Sequence, residues 1–550
     1  MIGRKWGREQ TMRKTEALRR LQVRRVLLLA ALCLLSAFCR TQLPPRNFVL
    51  VTLDTQRADY LNCYNPGSAS TPRLDEMARR GLRFQTGLSL IPITLPSHVS
   101  AFFSEQPYQA KNYNNGQVFR PRKSRPALAA LFKKNGFQTA AFVSLGVLKS
   151  SFGLAEGFDL YRDDFPPERW YLTAEEVNGK VLPWLEKNSD RPFFLWVHYS
   201  DPHEPYLTPD APPDMKVTFN GRVLGDQYCL GKYLTIPLGV TLRPGRNKFV
   251  IEIRSPYYAN NFQARLDLLA FDPPFESAGL DVEFVSGWFI RRPDNVYFLK
   301  SRAVLDIINH GPARPFRLTL RGKILIPHEV LPSFYKKEVE YMDFHFGRLL
   351  DKLQELGRLK DTAILVFGDH GEGLGEYLSP NGDRHVGHVH YLYECYMRVP
   401  LLLYRPGGEA GRVRNEAVTM LDIAPTITQM MGFKTPSFYQ GRSLLSPRKN
   451  PPAIFEQTYK PEAAWDKFAL WRYPWHLIFT PELNRFELFD LASDPSERTD
   501  IFSRSAGRSE VQSLRRDLER LTRNVLLNKE VIPLDKSTEE LLKSLGYIRK

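Results

Sequence analysis

Acidic residues and histidines follow three apolar segments of this 550-residue chain. Asp54 comes directly after the first apolar run, the pair Asp201 and His203 follows a second, and the pair Asp369 and His370 follows a third. Carboxylate oxygens and imidazole nitrogens together suit a divalent cation such as Ca²⁺, Mn²⁺, Mg²⁺ or Zn²⁺. One such group alone is more typical of a helix cap or a hydrogen-bonded core histidine. Their recurrence after apolar runs favours a metal site.

A second concentration of imidazoles lies further along the chain. Eleven histidines are present in all, and three of them, His385, His388 and His390, fall within six positions. Imidazole binds metal ions, accepts or donates protons near neutral pH and contacts anions when protonated. The sequence therefore adds this segment to the candidate site.

A hydroxyl nucleophile is offered by residues 91–98, Ile-Pro-Ile-Thr-Leu-Pro-Ser-His. A threonine after a proline-containing turn and before a helix presents its oxygen at the helix N-terminus, where backbone amides favour sulfate or phosphate. A bound metal would supply the activation that a free hydroxyl lacks. From these residues alone, a plain helix cap at Thr94 or Ser97 is the stronger interpretation.

The elements that position these residues are predicted from the apolar pattern. Asn47–Leu53 is a continuous apolar run of the kind found in buried parallel strands. Further strands are predicted at 138–143, 193–198, 362–367 and 399–404, and helices at 127–135, 175–187 and 335–356. Alternating strands and helices indicate an α/β sandwich with a mostly parallel central sheet. Ligands bind at the carboxyl ends of such strands, where the polar residues fall.

Two other regions have a different pattern of apolar and turn residues. Residues 215–332 contain short alternating runs separated by turn residues, which predicts a β-sandwich inserted into the α/β domain formed by 47–214 and 333–446. Short patterns in the insert resemble carbohydrate-binding jelly rolls. Residues 447–550 predict a small α+β subdomain, with strands at 467–472, 475–480 and 486–490 and helices at 510–526 and 538–545.

The net charge of +16 is unevenly distributed. Residues 1–40 account for +8 and residues 216–330 for +6, so the rest of the chain is nearly neutral. We therefore expect no nucleic-acid partner. The leader is basic and then apolar over 26–39, which is shorter than the roughly 20 residues of a membrane-spanning helix and typical of a signal peptide. We expect export to the periplasm or another extracytoplasmic space, with cleavage or anchorage in the inner membrane left open.

Several motifs together resemble the sulfatase family of the alkaline phosphatase superfamily. They lie at 51–59, 70–75, 94–98, 153–159, 196–206, 368–376 and 388–400. The resemblance implies an alkaline-phosphatase-like α/β fold and a metal-dependent hydrolase, and the insert is not part of the usual pattern. It also implies roles for single residues. These are Asp54, Asp369 and His370 as metal ligands, Thr94 as metal-bound nucleophile, His203 and His388 as groups that bind the ester, protonate the leaving group or hold a second metal, and His98 and His198 as substrate contacts.

The departures from the family pattern bear on the substrate. Most sulfatases have Cys or Ser, oxidised to formylglycine, where this chain has Thr94, and Arg where it has His98. Thr55 replaces a second aspartate ligand, His370 stands where many sulfatases have Asn, and a Lys-x-His motif is missing at 141–146. Because threonine cannot become formylglycine, we expect phosphate mono- or diesters, linked to a glycan or lipid, in preference to sulfate esters. The alternatives are a phosphoethanolamine- or phosphoglycerol-type transferase of envelope lipid or glycan, and a non-catalytic glycan-binding protein.

Overall fold

A computed structural model describes most of the chain after the leader. It covers residues 44–166, 171–204, 206, 214–228, 234–254, 263–291, 296–325, 327–378, 382, 384–446, 453–459 and 465–529. The predicted leader at 1–40 lies outside these residues, so export stays a prediction. Within the described ranges, no helix is both long and apolar enough to cross a membrane.

The part of the chain before the insert alternates strands and helices. Its strands are β1 (Asn47–Leu53), β2 (Leu82–Leu88), β3 (Gln138–Phe142), β4 (Leu160–Arg162) and β5 (Phe193–Tyr199). Its helices are α1 (Pro72–Arg80), α2 (Thr94–Phe103), α3 (Pro107–Ala110), α4 (Leu128–Lys134) and α5 (Ala174–Asn188). Helix α5 begins with a capping box in which Thr173 and Glu176 each bind the other's backbone N–H.

After the insert at 215–332 the chain again alternates strands and helices. The elements are α7 (Leu331–Glu355), β14 (Thr362–Gly368), β15 (Gly373–Leu378), β16 (Arg384–Gly387), α8 (Glu394–Met397), β17 (Arg398–Val399), β18 (Leu401–Tyr404), β19 (Arg412–Thr419) and α9 (Ile423–Met430). The strand predicted at 399–404 is divided at Pro400, because proline has no N–H to donate to a neighbouring strand.

Nine strands form the central sheet, in the order β17-β2-β18-β14-β1-β5-β3-β4 with β19 beside β2. Neighbours β1, β14, β5, β3 and β4 run parallel, whereas β18 and β17 are antiparallel to their partners. Strand β1 is buried along its whole length, as its continuous apolar sequence predicts. The predicted α/β fold with a mostly parallel sheet is confirmed.

The insert is an eight-stranded antiparallel sheet with the order β7-β6-β9-β12-β10-β13-β8, and β11 pairs with β12. Its elements are β6 (Asp214–Phe219), β7 (Arg222–Tyr228), β8 (Leu234–Leu242), β9 (Gly245–Arg254), β10 (Gln263–Asp272), α6 (Phe275–Ala278), β11 (Leu280–Arg291), β12 (Val296–Asn309) and β13 (Arg314–Leu325).

This sheet folds back on itself. Phe249 on β9 and Phe316 on β13 have ring centroids 6.5 Å apart, although β12 and β10 separate their strands. In a flat sheet three strand spacings would put them about 14 Å apart. The two halves therefore face each other across a shared apolar core, as in the predicted β-sandwich.

The C-terminal region is a four-stranded antiparallel sheet packed with two helices. Its elements are β20 (Ile454–Thr458), β21 (Lys467–Arg472), β22 (Trp475–Thr480), β23 (Arg485–Asp490), α10 (Phe502–Ser505) and α11 (Ser509–Asn528). The predicted small α+β subdomain is confirmed, while the helix predicted at 538–545 lies outside the described residues.

Candidate active site

The register of two parallel strands brings two aspartates together. Leu53, the last residue of β1, pairs with Gly368, the last residue of β14. Each strand is followed directly by an aspartate, so Asp54 and Asp369 leave the sheet side by side at its carboxyl edge. This is the edge at which parallel α/β sheets bind ligands.

Asp54, Asp369 and His370 form a buried cluster whose ligand atoms lie within 4.8 Å of one another. Burial and the neighbouring Asp54 raise the pKa of Asp369 well above its usual range, which is the effect of two like charges held away from water. Its Oδ2 atom is buried and receives no hydrogen bond from the described residues. A bound cation would offset the repulsion between the two carboxylates and would provide a partner for Asp369 Oδ2. The donor set of carboxylate oxygens and imidazole nitrogen therefore fits a divalent metal ion.

The ring of His370 is fixed in a tautomer suited to this role. Its Nδ1 lies 3.0 Å from the carbonyl oxygen of Gly371, which can only accept, so Nδ1 is protonated and Nε2 has a free lone pair. Burial and the nearby His388 lower the pKa of His370 to about 3. A Cβ at Gly371 would lie 2.0 Å from the carbonyl oxygen of Cys395, so only glycine fits after His370.

Thr55 orients the cluster through its backbone. It has a φ of 53°, an unusual conformation for a β-branched residue. In this conformation its N–H donates to Asp369 Oδ1 at 3.1 Å, and its carbonyl accepts from the Tyr335 hydroxyl at 2.7 Å. The Thr55 hydroxyl donates to the carbonyl oxygen of Asp54. The residue that stands where the family pattern has another aspartate therefore holds the loop in place.

Thr94 is the first residue of α2 and is fully buried. Its Oγ1 lies 3.3 Å from His370 Nε2, the nitrogen that faces the acidic cluster. Helix α2 is tied to the loop after β14 because the Ser97 hydroxyl donates to the carbonyl oxygen of Asp369 at 2.8 Å. The threonine hydroxyl and the candidate metal ligands therefore belong to one site.

His98 and His198 contact the residues of the cluster. His98 Nδ1 is 2.7 Å from the carbonyl oxygen of Thr94 and 3.8 Å from Asp369 Oδ2. His198 Nε2 is 3.2 Å from Asp54 Oδ2. Both rings are fully buried, and burial lowers the pKa of each to about 3, so both are neutral at physiological pH.

His203 and His388 form the remaining side of the site. Their ring centroids are 5.0 Å apart, and that of His388 is 4.5 Å from His370. His388 Nδ1 lies 3.2 Å from Oε1 of the buried Glu372, which orients the ring. Both predicted histidines are thus brought to the cluster, from segments that are far apart in the sequence.

Three other candidates have different surroundings. Asp201 accepts a hydrogen bond from Ala174 N at the start of α5, and burial raises its pKa to about 7. His385 Nδ1 lies 2.8 Å from the Tyr396 hydroxyl, and its ring packs against His390. Of the three clustered histidines, His388 is the one whose ring meets His370.

Asn115 is a site residue that the sequence analysis missed. Its Oδ1 accepts from Leu95 N at 2.9 Å, beside Thr94, and its buried Nδ2 has no hydrogen-bond partner within the described part of the chain. It lies in an irregular segment rich in Asn and Gly, whose pattern gives no signal for this position. An amide with an unused donor beside a hydroxyl is suited to bind an anionic oxygen.

Comparison with known families gives two matches. Residues 46–433 match the sequence model described as Sulfatase, and residues 388–524 match that of the N-sulphoglucosamine sulphohydrolase C-terminal region. Together they include the candidate site and most of the C-terminal subdomain.

Individual relatives are similar at low identity. The chain is 23% identical over 508 residues to an N-acetylglucosamine-6-O-sulfatase of Bacteroides thetaiotaomicron, covering 84% of this chain and 83% of the relative. Its fold is similar to the phosphonate monoester hydrolase of Agrobacterium radiobacter, with a TM-score of 0.55, 17% identity and coverage of 88% of this chain and 96% of the other. A protein crystallised with D-glucosamine-2-N,6-O-disulfate gives a TM-score of 0.54 at 17% identity, covering 92% of this chain and 98% of the other.

Proposed function

Because the chain belongs to the sulfatase family, we propose that Thr94 is the nucleophile with which it cleaves anionic esters. The protein is a hydrolase that acts on sulfuric or phosphoric ester bonds. The observation that most supports the nucleophile is the position of the buried Thr94 hydroxyl, 3.3 Å from His370 Nε2.

Asp54, Asp369, His370 and Thr94 would hold a divalent cation, which is Ca²⁺, Mn²⁺, Mg²⁺ or Zn²⁺ by the chemistry of the donor set. When bound, the ion would act as a Lewis acid that neutralises negative charge on the ester and on the nucleophile. His98 and His198 contact Thr94, Asp369 and Asp54, and we propose that they position these residues. The substrate contacts expected of both histidines stay a prediction.

The reaction has two balanced steps. In the first, Thr94 Oγ1 releases its proton to a water molecule and forms a bond to the phosphorus or sulfur atom, the bond to the leaving oxygen breaks, and the leaving alcohol gains a proton. We assign the protonation to His388 or His203. In the imidazolium form of His388, Nδ1–H donates to Glu372 and Nε2–H is the proton that can pass to the leaving oxygen. In the second step, water attacks the threonine ester, one of its hydrogens restores the Thr94 hydroxyl, and the product leaves as sulfate or phosphate, or as a phosphate monoester when the substrate is a diester. The histidine regains its proton from solvent.

Asn115 complements this arrangement. Its Oδ1 accepts from Leu95, the residue after Thr94, and its buried Nδ2 has no partner within the described residues, so this amide would bind an oxygen of the ester as negative charge develops on it. Such donors lower the barrier only when they are fixed in advance, and the bond from Leu95 N to Asn115 Oδ1 fixes this one.

We propose phosphate mono- or diesters as the preferred substrates, because threonine cannot be converted to the formylglycine of typical sulfatases. The similar proteins include an N-acetylglucosamine-6-O-sulfatase and a phosphonate monoester hydrolase, so both ester types occur among them. A glycan or lipid would provide the alcohol part.

The test compares turnover of p-nitrophenyl phosphate, bis-p-nitrophenyl phosphate and p-nitrophenyl sulfate by the purified protein, with metal content measured in parallel. We expect the phosphate esters to be cleaved faster. Thr94→Ala should abolish turnover with folding and metal-binding carboxylates intact, and Thr94→Ser should retain a measurable rate because it keeps the hydroxyl. Full activity of Thr94→Ala would refute the nucleophile, and cleavage of the sulfate alone would refute the preference for phosphorus.

A further inference from the structure

Strand β13 of the insert has an apolar face and a basic face. Phe316 and Leu318 are buried in the core of the insert, whereas the alternating residues Arg317, Thr319 and Arg321 lie on the opposite, outer face. We call the surface formed by these three residues the β13 face. Arg317 is exposed, and Arg321 is half-buried.

The two arginines of the β13 face have no ion-pair partner in the part of the chain that the structure describes. Among the described residues, no acidic side chain forms an ion pair with Arg317 or Arg321, and the buried Nε of Arg321 has no hydrogen-bond partner. This holds even though Asp272 on β10 is the register partner of Arg317. On β8, the partners of Arg317 and Thr319 are Gly239 and Pro237, which leave the guanidinium groups unobstructed.

The other outer face of the insert differs. Since the rings of Phe249 and Phe316 meet in the core, the residues that alternate with Phe249 point away from the β13 face. There Arg254 forms a two-bond pair with Asp214, and Arg302 lies 3.4 Å from Glu252. Arg254 and Arg302 therefore have acidic partners within the protein, whereas no acidic side chain of the described residues pairs with the arginines of the β13 face.

We propose that the β13 face binds an extended polyanionic glycan. Guanidinium groups bind sulfate, phosphate and carboxylate groups through paired hydrogen bonds. Four residues of extended strand separate the two arginines by about 13 Å, a span that suits a chain with repeated anionic groups and exceeds that of one small anion.

The chemistry of the surface favours a glycan over a membrane. Within the described part of β8, β10 and β13, no large apolar side chain is exposed, so these side chains provide none to insert between lipid chains. In the sequence the insert follows His203 and precedes α7, so it lies between two segments of the candidate active site. The inference rests on the β13 face and does not depend on the proposed reaction.

The experiment measures the binding of fluorescein-labelled dextran sulfate to the full chain by fluorescence anisotropy at several NaCl concentrations. The test variant is Arg317→Glu/Arg321→Glu, with Arg317→Gln/Arg321→Gln to separate lost contacts from new repulsion. The matched control is Arg222→Glu/Lys248→Glu, which makes the same charge change at exposed residues of β7 and β9. Turnover of a p-nitrophenyl ester, which is too small to reach the insert, verifies that each variant is folded.

We expect the charge reversal on the β13 face to raise Kd about tenfold at about 50 mM NaCl and to lower the slope of log Kd against log salt by about two. The glutamine variant should show the same slope change, and the control should stay within about twofold of the unaltered protein. Equal weakening by test and control variants would mean that only net charge matters and would overturn the proposal. The same proteins are also tested for binding to vesicles of phosphatidylglycerol and phosphatidylcholine. If the charge reversal on the β13 face abolished binding to the vesicles but left binding to dextran sulfate intact, the proposal would also be overturned.

Discussion

Leu53 and Gly368 are paired at the ends of two adjacent parallel strands, and this pairing places Asp54 beside Asp369. The two carboxylates are separated by more than 300 residues in the sequence, yet the strand register alone makes them neighbours. A shift of one residue in the register would move one carboxylate along the edge and turn alternate side chains to the other face of the sheet. The candidate metal site is therefore a property of the sheet.

Asp54→Asn should lower the metal content of the purified protein and its turnover together. The amide is a weaker ligand than the carboxylate and removes one of the two negative charges that attract the cation. We expect turnover to fall at least about 100-fold, and thermal stability should become insensitive to added chelator. Inductively coupled plasma mass spectrometry and thermal unfolding with and without chelator measure both effects.

Asp201→Asn is the matched control. Burial raises the pKa of Asp201 to about 7, and its Oδ1 accepts from Ala174 N, a bond that an asparagine oxygen also forms. This change should leave metal content and turnover nearly unaltered. If Asp201→Asn reduced the metal content as much as Asp54→Asn, the assignment of the ligands would be wrong.

Most of the central sheet could be predicted because its strands are continuous apolar runs. The predicted strand at 47–53 has the observed bounds, and those at 138–143, 193–198 and 362–367 differ by one residue. Strands β2 and β19 were missed, because Arg83 and Gln85 in β2 and the charged residues of β19 interrupt a continuous apolar run. Their place in the sheet is decided by pairing with each other and with β18.

The site was predictable where a residue follows a strand and unpredictable elsewhere. Asp54 and Asp369 come directly after β1 and β14, so their convergence follows from the topology. Asn115 contacts Leu95, the residue after Thr94, from an irregular segment, and the contact of Glu372 with His388 joins two loops. Neither contact depends on a periodic pattern, so neither could be predicted from the spacing of apolar residues.

Glu372→Ala should slow turnover most for substrates with poor leaving groups. Glu372 holds His388 Nδ1, so its loss would disorder the ring proposed to protonate the leaving alcohol. We expect kcat to fall about 10- to 100-fold with little change in KM, and Glu372→Gln, which still accepts a hydrogen bond, to recover part of the rate.

The informative measurement is kcat for a series of aryl and alkyl phosphate esters. In Glu372→Ala the rate should depend more steeply on the leaving-group pKa. The matched change is Glu376→Gln, because Glu376 lies on the same segment but pairs with Arg57. A uniform loss of rate across the series would show that Glu372 has a structural role only.

His476→Gln should destabilise the C-terminal subdomain in a pH-dependent manner. His476 is fully buried and lies between the carboxylates of Glu456 and Glu497. Burial opposes its charge, but Glu497 and Glu456 outweigh that effect and raise the pKa of His476 well above its usual range. Removing the imidazolium would leave two buried carboxylates without a cation, which costs about 3 kcal/mol of unfolding free energy.

The pH dependence follows from the raised pKa. The imidazolium contributes its full stabilisation below the pKa of an unfolded histidine and loses it as pH rises through the raised folded value. The difference in unfolding free energy between the unaltered protein and His476→Gln should therefore be largest at about pH 6 and shrink in the alkaline range. His310→Gln, which removes an exposed pair with Asp281, should change stability little. A difference independent of pH would contradict the charged state of His476.

Asn115→Asp tests the proposed anion-binding amide with a minimal change of shape. The aspartate keeps an oxygen that can accept from Leu95 N, so the segment should stay in place. It replaces the buried Nδ2 donor by a second carboxylate oxygen, which would repel the anionic ester. We expect kcat/KM to fall by about 100- to 1000-fold, the range found when one donor to a developing anion is removed, and metal content to stay unchanged.

Asn115→Ala should lose the donor without the repulsion, so its kcat/KM should lie between those of the unaltered protein and Asn115→Asp. Inhibition by inorganic phosphate gives an independent measurement, because a product anion bound by the amide should have a higher inhibition constant in both variants. If both variants bound phosphate as tightly as the unaltered protein, Asn115 would serve only to hold Leu95 at the start of α2.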